Sequence, residues 1–571
     1  MVTCKKAKAS AARVRATQSG KPVTISDRSG CFRRTRRGSV LDTQIRRAFK
    51  RSELYLAAGM GRDAVQALQR AQPHATGPDR IVVLHQLLQA HLACSDLDAA
   101  CMAGCALSRE LLAQGLRAAQ VLPWSAAEIA LSLVKLGENE AALGLLDALS
   151  AQPPADAQAL VAAASAQRLL QRHAQALALL QQARHLQPDD AMLRYHLAVQ
   201  LHFCGDLEQA AALLLQLADA GQANGRALLL LARLAGQVPE ATLERVLAEA
   251  SNRSDLADED QAALAFTRFN LHERRGDFTA AWTDLQQANA RTRRRLPYAR
   301  ALDATLVQRM QTLDQGLPRP DAAVAALAGG PQPVFIVSLP RSGSTFLERM
   351  ISNHPQVAAG GELTDFSKQL RRLTNVPGAS ALEPAMLDRM GALDWRLLGA
   401  RYLQQTRYLA QGKRYFTDKQ PLNHWFIGAI VRALPHARII VLQRARSEVC
   451  FSIYRAMFGD SYEYAYDIAD IAHYHAGFQQ LMRHWQDSYA DRLLGVDYES
   501  LLRDREAGLR RICAFLDLDY DPRCASPESN ATPVATLSSA QVRSAGYRPP
   551  QPAAVRYPQF VQAFEQACGN S

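Results

Sequence analysis

The feature that most constrains the fold is an internal repeat of constant period, between residues 125 and 225. Small and apolar residues recur at the same interval: Ala142, Ala176 and Ala210, and likewise Leu146, Leu180 and Leu214. The segments GENEAALGLLDAL, QRHAQALALLQQA and GDLEQAAALLLQL each start at a turn and continue with Ala and Leu at helical spacing. Small side chains allow two helices to pack closely, and a proline in the connection ends the second helix. The pattern predicts repeated helix–turn–helix units.

A helix–turn–helix period of this length, about 34 residues, is typical of tetratricopeptide repeats. Weaker copies begin at Gly61 and Gly276, so we predict an α-solenoid over residues 51–315. The concave face of such a solenoid commonly holds a peptide or a partner protein. We therefore expect a protein or peptide partner to be recruited by the repeats.

The positive charge of the chain is concentrated at its start. The 571 residues carry a net charge of +12, and residues 1–50 contain fourteen basic and two acidic side chains. The rest of the chain is therefore neutral overall, which argues against a nucleic-acid-binding body. We expect residues 1–50 to form a basic disordered tail, with contact to an anionic surface as the alternative.

The ten cysteines include no CxxC pair, so neither a disulfide scaffold nor a zinc site is indicated. Cys101 and Cys105 are expected to be core residues. No uncharged apolar run reaches the roughly 18 residues of a membrane span, and the N-terminus lacks the apolar segment of a secretory signal. These features predict a cytoplasmic protein without a membrane span, and leave its oligomeric state open.

Residues 316–333 mix Pro, Gly and Ala and are interpreted as a linker to a second domain at 334–571. The run Val334–Val337 predicts a buried strand, followed by a polar turn and a helix. Such a strand–turn–helix unit directs backbone N–H groups and the positive helix end at an anion. The candidate anion-binding residues are Arg341, Ser342, Gly343, Ser344 and Thr345. The turn lacks the lysine of a Walker A loop, which disfavours a P-loop kinase.

Further polar residues follow other predicted strands. Glu362 comes 21 residues after Arg341, and Lys419 lies just past a short strand. Arg444 follows a strand at 439–442, and Ser452 is eight residues further on, so both side chains could hold one phosphate. The alternatives are a solvated loop acid for Glu362, a surface lysine for Lys419, and an i, i+4 pair of Arg444 with a neighbouring glutamate.

On these motifs, residues 331–547 resemble sulfotransferases that use 3′-phosphoadenosine-5′-phosphosulfate (PAPS). The resemblance is greatest to bacterial tetratricopeptide-repeat sulfotransferases and to protein-tyrosine sulfotransferases. It implies an α/β P-loop-like sulfotransferase domain with a parallel sheet behind the solenoid. It also implies that the segment from Arg341 to Thr345 binds the 5′-phosphosulfate, and that Arg444 and Ser452 bind the 3′-phosphate.

The resemblance also assigns the remaining site residues. It implies that Glu362 is the catalytic base and that Lys419 contacts the transferring group. Tyr498 is expected to contact the cofactor, as is Tyr547 at the end of the matched region. Ser538 is the candidate donor to the transition state, with a plain helix N-cap as the alternative. PAPS is the expected co-substrate, and no metal is implied.

The chain departs from the family pattern after Tyr547, where RPPQPAAVRY replaces a stretch that closes over the cofactor. Ala553 stands where a basic residue is expected, and Ala456 stands where the tyrosine enzymes have an arginine. Arg455, Arg548 and Arg556 are candidates to substitute for these positive charges.

The predicted function is sulfuryl transfer from PAPS to an acceptor hydroxyl, in which positioning and charge stabilisation carry catalysis. A glutamate base implies a protein or peptide tyrosine, and a glycan or small alcohol stays open. The alternative is a catalytically weak scaffold that acts as a protein-binding repeat module. Five histidines of the second domain are expected to be structural: His354, His424, His473, His475 and His484.

Overall fold

The computed structural model describes residues 43–253, 256–319, 330–536 and 551–569. The predicted site residues Ser538 and Tyr547, and most of the predicted tail, lie outside these ranges. The helices that precede the first strand are α1 Thr43–Ala57, α2 Gly61–Ala71, α3 Gly77–Ala93, α4 Leu97–Gln114, α5 Ala126–Leu136, α6 Asn139–Ala151, α7 Ala157–Leu169, α8 His173–Leu186, α9 Ala191–Cys204, α10 Leu207–Asp219, α11 Gly225–Arg233, α12 Glu240–Ser251, α13 Asp258–Arg274, α14 Phe278–Arg295 and α15 Arg300–Gly316.

These helices confirm the predicted repeat architecture. The pairs α5–α6, α7–α8 and α9–α10 each turn at the same repeat position, with positive φ at Gly137 (+85°), Gln171 (+60°) and Gly205 (+96°). The repeated alanines and leucines are buried between the helices. Helix α1 begins at Thr43, so the helical array starts eight residues before the expected boundary at residue 51.

The second domain is built on a five-stranded parallel sheet. Its strands are β1 Gln332–Val337, β2 Val357–Ala358, β3 Tyr415–Asp418, β4 Arg438–Gln443 and β5 Leu493–Asp497, in the order β2–β3–β1–β4–β5. Strand β1 is central, with Phe335 opposite Asp418 of β3 and Ile439 of β4. Strands β2 and β3 lie on one side of β1, and β4 and β5 lie on the other side, so the order of the strands reverses at β1. In such sheets the carboxyl ends of the strands at this switch point form the ligand site. The fold class predicted from the sequence is confirmed.

Helices cover both faces of this sheet, as a parallel sheet requires. They are α16 Ser344–Ser352, α17 Asp365–Thr374, α18 Pro384–Met390, α19 Trp395–Thr406, α20 Ile427–Ala433, α21 Arg446–Tyr454, α22 Ile468–Tyr489, α23 Tyr498–Arg503, α24 Arg505–Phe515, α25 Ala553–Arg556 and α26 Pro558–Gly569. None of the helices in the described ranges combines the length and the apolar character needed to cross a bilayer.

One hydrophobic cluster continues from the last helices of the solenoid into the second domain. Phe335 of β1 belongs to the same buried cluster as Phe266 and Phe269 of α13. The contact is also polar, because Glu138 at the α5–α6 turn pairs with Arg372 of α17 and, at 2.7 Å, with Arg401 of α19. Burying a charge is costly unless it is paired, so this cluster is stable only while the two units stay in contact.

Candidate active site

The β1–α16 loop (residues 338–343) lies at the carboxyl edge of the sheet, where the sequence predicted an anion-binding turn. Its backbone takes positive φ at Arg341 (+68°) and at Gly343 (+98°), and α16 begins at the next residue. The side chains of Ser342, Ser344 and Thr345 are buried beside the start of the helix. Free N–H groups at a helix start, with hydroxyls around them, form a site for an anion.

Tyr498 and Arg444 lie directly against this loop. A Cβ atom added to Gly343 would collide with the Tyr498 ring, 2.6 Å from its Cδ2, so only glycine permits this approach. The guanidinium of Arg444 lies over the Tyr498 ring, 5.2 Å from its centroid, and its Nη1 donates to the backbone oxygen of Arg341 at 3.1 Å. The structure therefore brings together residues that follow three different strands, β1, β4 and β5.

Arg444 and Ser452 are adjacent, as their spacing predicted. Nη1 of Arg444 lies 3.4 Å from Oγ of Ser452. The alternative pair with Glu448 is also present but longer, at 3.8 Å. The buried Nε of Arg444 donates no hydrogen bond to a described residue, and a carboxylate oxygen of Glu499 is 3.9 Å from it. An unused donor on a buried guanidinium fits the binding of a phosphate group.

Glu362 and Lys419 form an ion pair, with 2.6 Å between Oε1 and Nζ. The backbone N–H of Lys419 donates to the carbonyl of Gly361 at 2.9 Å, which joins the end of β3 to the segment after β2. The Lys419 side chain is fully buried, whereas that of Glu362 is 39% exposed. The lysine is thus fixed inside the protein, and the carboxylate is partly open to solvent.

Glu348 of α16 is a site residue that the sequence analysis missed. Its carboxylate accepts hydrogen bonds from Oγ1 of Thr417 (2.6 Å) and from the N–H of Gly361 (2.9 Å). The same Thr417 hydroxyl oxygen accepts from the N–H of Gly360 at 2.9 Å. These bonds tie the first helix after the loop to the segment that carries Glu362. A carboxylate among the apolar residues of the predicted helix was the signal available in the sequence.

The solenoid borders the site, which the sequence analysis also missed. A Cβ atom on Gly361 would lie 2.7 Å from Oε1 of Gln171 at the α7–α8 turn. The N–H of Val534 donates to the carbonyl of Phe203 in α9 at 3.0 Å. Two residues later, Thr536 places its hydroxyl 3.3 Å from that of Thr345.

Two of the arginines expected to replace the missing basic residues form ion pairs with the solenoid. Arg455 pairs with Glu273 of α13, and Arg556 pairs with the same carboxylate at 2.7 Å. Ala553 is buried, and its N–H donates to Glu448 at 2.7 Å. Arg548 lies outside the described residues. The two described arginines therefore join the second domain to the solenoid rather than lying free beside the site.

The histidines of the second domain take part in packing and structural hydrogen bonds. Nδ1 of His424 lies 2.8 Å from the carbonyl of Pro421, and Nε2 of His484 lies 3.0 Å from Asp314. Burial lowers the pKa of His424 and of His475 to about 4. Groups that stay neutral and enclosed in this way fit the structural roles expected for them.

The assembled site joins an anion-binding helix start, an arginine–serine pair and a carboxylate–ammonium pair at one sheet edge. This fold and site define an α/β domain with a P-loop-like anion site. Residues 333–522 match the model of the sulfotransferase family, so the chain contains a sulfotransferase-family domain behind its helical repeats.

Individual proteins are also similar to this chain. An uncharacterized protein of Aquifex aeolicus (strain VF5) is 26% identical over 319 residues, which cover 53% of this chain and 41% of that protein. Protein-tyrosine sulfotransferase 1 of Danio rerio is 24% identical over 192 residues, which cover 33% of this chain and 54% of that protein. The chain thus spans about half the length of these curated relatives. The sulfotransferase domain of the Synechococcus PCC 7002 olefin synthase is 24% identical, with a TM-score of 0.26 and coverage of 44% of this chain and 98% of that one.

Proposed function

We propose that this protein is a sulfotransferase that moves the sulfuryl group of PAPS to an acceptor hydroxyl, most simply that of a tyrosine in a protein or peptide. The observation that carries the proposal is the convergence of the β1–α16 loop, the Arg444–Ser452 pair and the Glu362–Lys419 pair at one sheet edge. The match of residues 333–522 to the sulfotransferase family supports the same reaction.

The residues at this edge suit a donor with two anionic ends. The β1–α16 loop and the hydroxyls of Ser344 and Thr345 would hold the 5′-phosphosulfate, because N–H groups and hydroxyls there point into one site. Arg444 would use its free Nε, with Ser452 beside it, to hold the 3′-phosphate. PAPS, when bound, supplies the sulfuryl group and leaves as adenosine 3′,5′-bisphosphate.

Glu362 would accept the proton of the acceptor hydroxyl. Its Oε1 atom is taken by Lys419, and its Oε2 atom accepts no hydrogen bond from the described residues, so Oε2 is the atom available to the acceptor. Lys419 fixes the carboxylate and supplies positive charge where negative charge develops. A phenol is a far weaker acid than a carboxylic acid, so the proton moves as the acceptor oxygen attacks, not before.

The first test is calorimetric titration of the full chain with adenosine 3′,5′-bisphosphate, beside 5′-AMP. Binding that requires the 3′-phosphate is expected, followed by transfer of labelled sulfate from PAPS to tyrosine peptides. Glu362→Gln should abolish transfer and leave bisphosphate binding nearly unchanged, whereas Glu506→Gln, on exposed α24, should change neither. Absence of bisphosphate binding would refute the proposal and favour a protein-binding scaffold. Loss of binding and transfer together in Glu362→Gln would refute its assignment as base.

A further inference from the structure

Helix α1 is the first described helix of the solenoid and packs against α2 and α3. Its buried side chains, Ile45 and Ser52, lie on one narrow side of the helix. Exposed side chains cover the side that is turned away from the solenoid. We define the outer face of α1 as Arg46, Arg47, Lys50, Arg51 and Leu54, all of them exposed.

The positive charge of the outer face is not balanced within the protein. None of its four cationic side chains forms a hydrogen bond or an ion pair with a described residue. The helix sequence contains a single acid, Glu53. Exposed arginines further along the solenoid are paired with acids of neighbouring helices, as Arg245 is with Asp219 and Arg275 with Glu240. The outer face is therefore a surface of one sign that is open to an anionic partner.

The sequence ahead of α1 has a charge of the same sign. Residues 1–42 contain eleven basic and two acidic side chains, whereas residues 51–571 are neutral overall. The net charge of the chain is thus concentrated in α1 and in the sequence that adjoins it. Charge of one sign gathered at one end of a protein attracts an oppositely charged surface and raises the rate of encounter with it.

An exposed apolar side chain among these cations indicates the chemistry of the partner. Leu54 is 70% exposed. It comes seven residues after Arg47, four after Lys50 and three after Arg51, and this spacing places it on the same side of the helix as all three. Met60, just beyond the end of the helix, is 45% exposed. A lipid surface offers an apolar layer directly below its charged head groups, and the phosphate backbone of a nucleic acid does not.

The cations of the outer face also suit a lipid surface. Lysine and arginine place their methylene stems along an apolar boundary and keep the charge at the level of the head groups. Groups of about four to eight such residues on an amphipathic helix are typical of binding to anionic lipid, and each contributes about fivefold to the affinity. The outer face of α1 combines four cations with one apolar side chain and meets this description.

We propose that the outer face of α1 is a docking surface for a bilayer that contains anionic phospholipid. The four cations bind the head groups, and Leu54 enters the boundary between the head groups and the acyl chains. The helix lies along the bilayer surface, because its other side is packed on the solenoid. This inference does not depend on the proposed function, since it concerns the first helix of the solenoid and not the catalytic site.

The test measures cosedimentation of the full chain with vesicles of phosphatidylcholine alone, or of equimolar phosphatidylcholine and phosphatidylserine. The wild-type protein should bind only the anionic vesicles, and its affinity should fall as salt is added. R47Q/R51Q should weaken this binding by about 25-fold. The matched variant R396Q/R511Q removes two exposed charges from α19 and α24 of the second domain and should bind like the wild type.

Leu54 distinguishes a lipid surface from other anions. L54Q leaves the charge unchanged and should weaken binding to the anionic vesicles by about fourfold or more, the contribution of one methylene group transferred to lipid. M192Q, which replaces an exposed methionine of α9, is the matched control and should bind like the wild type. A DNA duplex that displaces the chain from the vesicles and binds L54Q as tightly as the wild type would replace the lipid surface with a nucleic acid.

Failure of the wild-type protein to bind anionic vesicles would overturn the proposal. Unchanged binding in R47Q/R51Q would place the contact outside α1, and an equal loss in R396Q/R511Q would reduce it to an effect of net charge; either result refutes the proposal. If R47Q/R51Q melts lower than the wild type, R46Q/K50Q removes the same charge at other positions of the outer face and should show the same loss. Adenosine 3′,5′-bisphosphate should bind equally to all these variants, so the two proposals fail separately.

Discussion

Replacing Gly343 by alanine tests whether the β1–α16 loop and Tyr498 act as one unit. The backbone at Gly343 has φ +98°, and the added methyl group would collide with Cε2 of Tyr498 and lie 2.6 Å from its Cδ2. A left-handed backbone costs a residue with a side chain about 1–2 kcal/mol. Forcing an extra methyl group into a packed site costs about 1–3 kcal/mol more. The expected loss of stability is therefore about 2–5 kcal/mol.

The same substitution should weaken ligand binding. The Tyr498 ring carries the guanidinium of Arg444, 5.2 Å from its centroid, so a displaced ring displaces the arginine. Loss of one charged hydrogen bond, about 1.5 kcal/mol or more, raises the Kd for adenosine 3′,5′-bisphosphate by about tenfold or more. Calorimetric titration measures this change, and thermal unfolding measures the loss of stability.

Gly412→Ala is the matched control, because Gly412 has φ +80° and no atom within 4 Å of an added Cβ. Gly412→Ala has the same backbone penalty but no steric clash. The melting temperature of Gly343→Ala should therefore be lower than that of Gly412→Ala, and the difference measures the clash with Tyr498. For a domain of this size that difference is roughly 2–12 °C. In a Tyr498→Ala background the clash disappears, and the two glycine substitutions should cost the same. Equal melting temperatures in the wild-type background, with unchanged bisphosphate binding, would refute the reasoning.

Two further predictions concern single charges. Arg444→Ala should weaken adenosine 3′,5′-bisphosphate binding by about 1.5–3 kcal/mol. The control Arg446→Ala, which removes an exposed ion pair with Glu565, should leave binding unchanged. An unchanged Kd in Arg444→Ala would show that Arg444 is not part of the site. Burial raises the pKa of Asp303 from 3.8 to about 6, so the folded protein binds the extra proton and its stability falls as pH rises between these values. Asp303→Asn should therefore increase the free energy of unfolding by up to about 3 kcal/mol at about pH 7.5 and leave it nearly unchanged at about pH 4. Melting temperatures at the two pH values measure this difference, and no gain at about pH 7.5 would contradict the raised pKa of Asp303.

The features that could be predicted from the sequence are those that local spacing determines. Ala142, Ala176 and Ala210 recur at a constant interval because each packs at the same place between two helices, and all three are buried. The turn at Gly343 is equally local, since a buried strand before it and an apolar helix face after it leave few other conformations. The residues that follow β3 and β4 could be placed at the same edge because parallel strands end together.

Contacts between distant segments could not be predicted from spacing. Gln171 touches Gly361, and Asn139 donates to Asp365 at 2.6 Å, although each pair joins the solenoid to the second domain across a long stretch of chain. The use of Arg455 in an ion pair with the solenoid has the same origin. A single sequence gives the charge of such a residue but not the carboxylate that neutralises it.

The solenoid begins earlier than the charge of residues 1–50 predicts, because a helix can carry many basic side chains and still pack along one side. Helix α1 buries Ile45 and Ser52 on a narrow stripe, and exposed basic residues such as Arg46 and Arg47 occupy the rest of its surface. Long basic side chains on the outer face of a helix are compatible with a folded repeat. A high local charge therefore did not mark the end of the folded region.

The contacts that Gln171 and Glu273 make with the second domain determine where the repeat array can change length during evolution. Gln171 at the α7–α8 turn and Glu273 in the last turn of α13 each meet a fixed point on the second domain, so a repeat inserted or deleted between them would shift one contact out of register with the other. Helices ahead of α4 are under no such constraint from Gln171 or Glu273. Related chains should therefore gain and lose repeats at the amino-terminal end and keep a constant number between α7 and α13.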